Sequence, residues 1–470
     1  MRWASLAILA SAAVSLSAAD WPQFRGPNAS GVAPDNSQIP AQIDLSTDLI
    51  WKTPVGAGHS SPVIVDGKLF LTAFEDAKLW TLAFDSTKGS PLWKQEAPHE
   101  KLEEHHRRSS PAVASAACDG RRVVSFFGSC GLFCYDTSGR LLWRLPLGPF
   151  NDPQGAASSP IIAGDRIVMV HDQDNGSHMA AYRLSDGSEI WRAERSAFRR
   201  NYGTPVLWNN AGRTEVVTAG SSLITGYDLS NGTLVWSVVG CARVVSATPV
   251  VGADGGLYVV NAGGGGDLRG RNQPAFGSLL ESSDKNANGK LEKKELPKGP
   301  IAGFIDQFDR NADGALDEEE YESIRRIYQS VRHVAMAIRP GGKGDITDTH
   351  VAWTQDRMIP RNASPVVYKN HLFMVRDGGI LTSLNLSDGS IAKTGRLTDA
   401  GGSYFSSPVA AGGRIYLLND RGTLTTVAAE GDWKQVGSTR FDEECFATPA
   451  IVDGRIYVRT AKAMYCLGRR

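Results

Sequence analysis

A Ser/Thr-Pro step followed by apolar residues recurs eight times along the chain, and this repeat constrains the fold more than any other feature. The prolines stand at positions 62, 111, 160, 205, 249, 365, 408 and 449, at intervals of 49, 49, 45, 44, 116, 43 and 41 residues. Only the fifth interval is long, and it contains the one segment that does not follow the repeat. Self-similarity at 40 to 50 residues predicts a repeated architecture with one insertion.

Each repeat contains short apolar strands separated by turn residues. The first reads "SSPVIVDGKLFLTAFEDAKLWTLAFDSTKGSPLWKQ", with Gly89 four residues before Trp93. The same spacing recurs in the next three repeats, which indicates a shared role for tryptophan in packing between repeats. Four strands per repeat are typical of a propeller blade, and proline fits the first residue of an innermost strand, where no ladder donor is needed.

The two ends of the chain predict how the ring closes. The last repeat, from Thr448, contains three strands, and a fourth with its tryptophan precedes the first repeat around Trp51. Closure by this strand would hide the edges. The predicted fold is an all-β, eight-bladed β-propeller closed by the N-terminal strand. Its expected segments are an extension at 20–44, propeller at 45–262 and 333–470, and an α-helical EF-hand insert in blade five at 263–332.

Segments such as "YDLSNGTLVW", Tyr227–Trp236, give the repeats a family resemblance. The chain resembles the PQQ-like propeller repeat proteins, a group that includes quinoprotein dehydrogenases and the outer-membrane assembly factor BamB. The opening "DWPQFRGPNASG" from Asp20 also looks like the start of exported members of this group. The resemblance covers nearly all of residues 45–468 outside the insert. It implies the fold, whereas propellers host unrelated functions.

The resemblance leaves catalysis open. A quinoprotein would hold PQQ through calcium and adjacent cysteines beside an acidic base. No two of the six cysteines are adjacent, and no acidic residue stands out as a base. We therefore predict a non-catalytic binding or scaffold protein of the cell envelope, without catalytic residues and without PQQ. A PQQ-dependent dehydrogenase of alcohols or sugars and a BamB-like assembly factor remain the alternatives; the insert and the missing lipobox cysteine depart from BamB.

Residues just before the Ser/Thr-Pro steps open the innermost strands, so we expect them to gather at one mouth of the central channel. Three arginines among aromatic rings favour an anionic or ring-bearing ligand. A channel mouth filled only with water is the alternative. These candidate ligand-binding residues are His59, Arg107, Arg108, Tyr202, Arg361, Tyr404, Phe405 and Phe446.

Two segments of the insert, "DKNANGKLEKKE" and "DRNADGALDEEE", match D-x-[DN]-x-[DN]-G-x₅-E in full, 25 residues apart. This spacing wraps six oxygen ligands around one calcium ion, with glycine at the sharp turn. We expect an EF-hand pair with two calcium ions, joined by Leu291 and Leu316, whose role is structural rather than regulatory. The predicted ligands are Asp284, Asn286, Asn288, the Lys290 carbonyl, Glu292 and Glu295 in loop one, and Asp309, Asn311, Asp313, the Ala315 carbonyl, Asp317 and Glu320 in loop two.

The start "MRWASLAILASAAVSLSAAD" predicts a secretory signal at 1–19, cleaved before Asp20. No cysteine directly follows the apolar stretch of this segment, so we expect a periplasmic or secreted protein without a lipid anchor or transmembrane segment. Fifty basic residues balance fifty acidic ones, which excludes the global positive field of a nucleic-acid-binding protein. The expected protein is a monomer whose partner is an envelope protein or a small anionic ligand.

Overall fold

The computed structural model describes residues 20–34, 39–263, 272–303, 305, 308–309 and 311–469. The predicted signal segment lies outside these residues. Within the described chain, eight sheets follow one another, each with four antiparallel strands, and the sheet of blade four has a fifth strand at its outer edge; the predicted eight-bladed propeller is therefore confirmed. From the innermost strand outward, blade one contains Val63–Val65, Lys68–Glu75, Lys78–Asp85 and Pro91–Ala97, and blade two contains Ala117–Cys118, Arg122–Phe127, Gly131–Asp136 and Leu141–Leu145. Blade three contains Ile161–Ala163, Arg166–His171, His178–Arg183 and Glu189–Glu194, and blade four contains Val206–Asn210, Arg213–Gly220, Leu223–Asp228 and Leu234–Val239.

Blade eight confirms closure by the N-terminal strand. Leu49–Pro54 is its outermost strand and pairs antiparallel with Ala463–Gly468, placing Trp51 opposite Cys466. In the same order, blade five contains Val250–Val251, Leu257–Asn261, Val334–Ile338 and Val351–Gln355, and blade six contains Val366–Tyr368, His371–Arg376, Ile380–Asn385 and Ile391–Arg396. Blade seven contains Val409–Ala411, Arg414–Leu418, Thr423–Ala428 and Gln435–Arg440, and blade eight contains Ala450–Val452, Arg455–Arg459, Ala463–Gly468 and Leu49–Pro54.

One serine or threonine per blade joins a closed ring of hydrogen bonds, here called the belt. The backbone amide of each belt residue donates to the side-chain hydroxyl of the belt residue in the next blade. The last bond, from Thr448 to Ser61, returns to the first blade. In order, the donor–acceptor pairs are Ser61–Ser115 (2.9 Å), Ser115–Ser159 (3.0 Å), Ser159–Thr204 (3.2 Å), Thr204–Thr248 (3.0 Å), Thr248–Ser364 (3.0 Å), Ser364–Ser407 (3.0 Å), Ser407–Thr448 (3.0 Å) and Thr448–Ser61 (3.0 Å).

The belt explains why the Ser/Thr-Pro step repeats, and it corrects the register of blade two. Pro111 does not open the innermost strand of that blade, because the strand is Ala117–Cys118 and the belt residue is Ser115. An alanine, Ala116, stands where the other blades have proline. The stretch before Ser115 is therefore an additional loop, and it carries Arg107 and Arg108.

Tryptophans of the outermost strands pack on glycines of the following blade. Trp143, for example, donates its indole N–H to the carbonyl of Leu184 at 3.1 Å. A Cβ added to Gly187 would lie 2.7 Å from its ring. Five tryptophans thus meet a glycine of the next repeat, whereas Trp236 packs on Gly226 of its own blade. The contacting pairs are Trp51/Gly89, Trp93/Gly139, Trp143/Gly187, Trp191/Gly232 and Trp353/Gly389.

The insert leaves blade five after Asn261 and returns at Val334, between the second and third strands. Its helices are α1 (Phe276–Ser283), α2 (Pro300–Gly303) and α3 (Glu318–Ser330), and the two-residue strands Leu291–Glu292 and Ala315–Leu316 pair with each other. After the third strand of blade five, Gly344–Asp345 adds in parallel to the outer edge of blade four, and α4 (Thr347–His350) follows. The insert has its own core, which includes Leu291, Leu316, Tyr321 and Ile324.

None of the described helices combines the length and the apolar character needed to cross a bilayer. All six cysteines are free thiols, and five of them are buried.

Candidate functional site

A cavity of about 450 Å³ occupies the mouth of the central channel. Belt residues line its lower part, and the residues two positions before each belt residue form a second ring above them. Phe24 of the N-terminal extension also lines it, and sequence reasoning missed this residue because nothing in the repeat places the extension. We call this cavity the cup. Its upper ring contains His59, Val113, Ala157, Tyr202, Ser246, Asn362, Phe405 and Phe446.

The structure brings six of the eight predicted mouth residues together around the cup. Arg107 lines a neighbouring cavity with His59 and Arg108. Tyr404 differs from the prediction: its ring is buried in the core of blades six and seven, and its hydroxyl donates to the Ala400 carbonyl at 3.0 Å. Side chains of an extended chain point alternately to its two sides. Because Phe405 faces the cup, its neighbour Tyr404 points into the core. The six that line the cup are His59, Arg108, Tyr202, Arg361, Phe405 and Phe446.

Three aromatic rings pack against one another on one side of the cup. His59 stacks on Phe446 with ring centroids 4.3 Å apart, and Phe405 lies 5.5 Å from Phe446. Burial, and then the nearby charge of Arg459, lower the pKa of His59 to about 4. The imidazole is therefore neutral at neutral pH. The rings can stack against a planar group, while Arg108 and Arg361 bring positive charge to the same cavity.

Two buried carboxyl groups lie behind the rim formed by blades two to four. Asp152 accepts a hydrogen bond from the hydroxyl of Tyr202 at 3.1 Å, and burial raises its pKa to about 6. Glu103 accepts from the amide of Ala156 at 3.0 Å, and burial raises its pKa to about 8. Sequence reasoning missed both, because neither follows a recognisable motif. They support the loop that carries Arg108 and do not line the cup.

The two predicted calcium loops have the same internal hydrogen bonds. In loop one, Asp284 accepts from the amides of Asn288 and Gly289, at 3.4 and 3.0 Å. In loop two, Asp309 accepts from the amides of Asp313 and Gly314, at 3.1 and 2.7 Å. Each loop therefore folds around its first carboxylate.

Glycine at the sixth position allows this turn in both loops. The φ angles of Gly289 and Gly314 are 77° and 86°, in the left-handed region that favours glycine. Between the loops, Leu291 pairs with Leu316.

The closing carboxylates of the loops are held in place by backbone amides. Glu295 accepts from the Glu292 amide and Glu320 from the Asp317 amide, both at 3.1 Å. Glu320 and Asp317 also form the capping box at the start of α3. Among the described residues, no three or more His, Cys, Asp or Glu side chains are grouped as a metal site. Amide and carbonyl oxygens would have to complete each calcium shell.

The cup does not match the residues that the PQQ interpretation requires. No cysteine is part of its described lining, and Asp377 is the one carboxylate there. Asp377 accepts from the Tyr404 amide at 2.9 Å.

Comparison with known proteins agrees with the repeat. A family profile described as outer membrane protein assembly factor BamB matches residues 42–148 and 113–266. The outer membrane protein assembly factor BamB of Yersinia pestis is 23% identical over 409 residues, covering 81% of this chain and 88% of the relative. The resemblance to PQQ-like propeller repeat proteins is confirmed.

Solved structures of PQQ-like propellers show the same fold with different functions. BamB from Moraxella catarrhalis superposes with a TM-score of 0.55 at 12% identity, covering 89% of this chain and all of that one. A quinohemoprotein alcohol dehydrogenase from Pseudomonas putida also superposes with a TM-score of 0.55, at 11% identity, covering 96% of this chain and 80% of that one. Because the two scores are equal, the PQQ-like fold alone does not separate a binding protein from an enzyme.

Proposed function

We propose that this protein is a non-catalytic binding scaffold of the cell envelope, of the kind represented by BamB, and that the cup is its ligand-binding surface. The observation that carries the proposal is the similarity to an assembly factor, which extends over 81% of the chain. The chemistry of the cup supports it, because aromatic rings and two arginines suit recognition of a ligand.

The partner's recognised group would be planar or anionic. His59, Phe405 and Phe446 offer a stacking face, and a guanidinium can hold a carboxylate through paired hydrogen bonds. Stacking and charge together select a side chain or small molecule that carries both features. The partner is an envelope protein that presents such a group, or a free ligand of the same chemistry.

The deciding experiment compares binding with oxidation. The purified protein is mixed with PQQ and calcium, and quinone absorbance and dye reduction are followed with alcohols and sugars. We expect no turnover. In parallel, the tagged protein is cross-linked in the envelope of its own host, with an Arg108→Gln, Arg361→Gln double variant as control. Enrichment of outer-membrane assembly components by the unaltered protein, reduced in the double variant, is expected. Stoichiometric PQQ binding with turnover would overturn the proposal and restore the dehydrogenase alternative.

We also propose that the insert binds two calcium ions through the twelve predicted ligands. The support is the matched folding of the two loops around Asp284 and Asp309, with their closing carboxylates fixed by backbone amides. The first and last carboxylates of each loop are thus held in place by the backbone, from where they could bind a divalent cation. The role is structural, because the insert has a core separate from those of the blades.

A further inference from the structure

The N-terminal segment 20–34 crosses the central channel and does not run along the surface of the propeller. It forms hydrogen bonds with blades one, two, four, six and seven. Trp21 exchanges two backbone bonds with Ile64, at 2.7 and 2.9 Å, and the Pro22 carbonyl accepts from Cys118 at 2.8 Å. Further along the segment, Arg25 donates to the Pro365 carbonyl of blade six, which stands opposite blade two, and Ala410 of blade seven donates to the Gly31 carbonyl at 2.7 Å. A segment that reaches opposite blades must span the channel.

These contacts fall at the same position relative to the belt residue of each blade, and this position gives the depth at which the segment lies in the channel. Ile64, Cys118 and Ala410 each stand three residues after the belt residue of their blade. Leu207 has the same position in blade four, and its amide and carbonyl bind the side chain of Asn28 at 2.8 and 2.7 Å. Three residues of extended strand span about 10 Å. The segment therefore crosses on the side of the belt away from the mouth residues, which precede the belt by two positions.

The inner edges of the innermost strands explain why the segment binds there. An edge strand presents unpaired N–H and C=O groups, and a buried backbone group without a partner is costly. Segment 20–34 supplies partners at the same register in four blades. A fifth contact runs from the fully buried Arg25 to the Pro365 carbonyl of blade six. The segment occupies the channel and pairs with its inner strands as a bound peptide would.

Local sequence shapes the segment for this path. Gly26 has φ 74°, and a Cβ there would lie 2.7 Å from the ring of Trp21. Gly31 has φ 73°, and a Cβ there would lie 2.7 Å from Nη2 of Arg25. Asn28, at φ 48°, is a residue type that tolerates the left-handed region. These residues let the chain fold closely around two buried side chains.

We propose that segment 20–34 is an intramolecular stopper that closes the channel below the belt, so that the cup has a single entrance and Phe24 forms its floor. Phe24 lines the cup, whereas Pro27 of the same segment is exposed. A one-ended cup of about 450 Å³ admits a side chain, a loop tip or a small molecule. It excludes a chain that threads through the ring. The stopper follows from the channel contacts and does not depend on the proposed scaffold function.

Cysteine labelling of the full protein tests the proposal directly. Phe24→Cys places a thiol on the floor of the cup, and Pro27→Cys places one on the exposed side of the segment. A methanethiosulfonate reagent should label both thiols. A 5-kDa polyethylene-glycol maleimide should label Pro27→Cys readily and Phe24→Cys about 100-fold more slowly, because access would require local opening. The unaltered protein gives the background from its six native thiols. Equal labelling of both variants by the bulky reagent would overturn the stopper.

Hydrogen exchange gives a second measurement that needs no cysteine. The amides of Ile64, Cys118, Leu207 and Ala410 should be protected in the unaltered protein. Asn28→Ala removes both side-chain bonds to Leu207 and should release the Leu207 amide about tenfold or more. Amides between the second and third strands of blade four should keep their protection. If the four inner-strand amides exchange freely in the unaltered protein, the segment does not occupy the channel and the proposal fails.

Discussion

Ser61 and Thr448 are 387 residues apart in the chain, yet the amide of Thr448 donates to Oγ of Ser61 at 3.0 Å. This bond closes the belt and joins blade eight to blade one at the inner edge of the ring. The strand Leu49–Pro54 joins the same two ends at the outer edge. The propeller is therefore closed twice, by hydrogen bonds near the channel and by a strand at the rim.

Removal of one belt hydroxyl should destabilise the propeller. In Ser364→Ala, the buried amide of Thr248 loses its acceptor, at a cost of about 1 to 3 kcal/mol. Ser364→Thr is the matched control, because threonine fills the same position in blades four, five and eight and keeps the hydroxyl. The denaturant midpoint of each variant decides the result. Similar midpoints for the alanine and threonine variants would show that water replaces the missing hydroxyl.

Because Gly187 packs against a tryptophan ring, its substitution should destabilise the protein far more than the substitution of Gly164, another glycine of blade three. Gly187 and Gly164 both have positive φ, at 76° and 63°, but only Gly187 faces the ring of Trp143. Gly164→Ala should cost about 1 kcal/mol for the left-handed conformation alone. Gly187→Ala adds a clash with a packed ring, for a total of about 2 to 4 kcal/mol. Thermal unfolding of the pair measures the difference, and equal melting temperatures would contradict the packing role.

The number of blades and their closure could be predicted because they depend on strand periodicity, which each repeat carries in its own residues. The register of blade two could not, because Ser115 is followed by alanine, while Ser110-Pro111 repeats the Ser/Thr-Pro pattern five residues earlier. The belt that distinguishes them consists of contacts between blades, which no single repeat contains. The burial of Tyr404 and the stopper were missed for the same reason: both depend on neighbours distant in sequence.

Glu103 should make the protein less stable as pH rises. Burial holds the pKa of this carboxyl at about 8 in the folded state, above the ordinary value of 4.5. Between these two pH values the unfolded chain releases a proton that the folded chain keeps, so stability falls with increasing pH, by an amount on the order of 3 kcal/mol. Glu103→Gln keeps an acceptor for the Ala156 amide and removes the titration. The variant should gain stability relative to the unaltered protein at pH 8 and not at pH 5.

Glu104, next to it in sequence but exposed, supplies the control for this measurement. Glu104→Gln should follow the unaltered protein at both pH values. Denaturant unfolding at pH 5 and pH 8 measures the stability of both variants and of the unaltered protein. If Glu103→Gln and Glu104→Gln show the same pH dependence, the buried carboxyl does not govern it.

Calcium should stabilise the insert and leave the ring unchanged. Extracellular calcium modules bind with dissociation constants of roughly 10⁻⁴ to 10⁻³ M. If the sites here reach about 10⁻⁵ to 10⁻⁴ M, millimolar calcium adds about 1.4 to 2.7 kcal/mol per site. That is enough to order a small core but not to hold eight blades together. Loop two, with acidic side chains at four ligand positions against three in loop one, should bind more tightly.

Two matched substitutions separate the loops without disturbing their backbone. Glu320→Gln keeps an oxygen for the Asp317 amide, so the capping box of α3 survives while the closing charge is lost. Glu295→Gln makes the same change in loop one. Glu320→Gln should weaken calcium binding more, as measured by isothermal titration.

Calorimetric unfolding with and without chelator then tests the independence of the insert, which contacts blade four through Ser330 and Ser222 at 2.9 Å. We expect chelation to lower a small early transition only. A single transition that moves as a whole with calcium would show that these contacts couple the insert to the ring, and the structural role would then extend to the entire propeller.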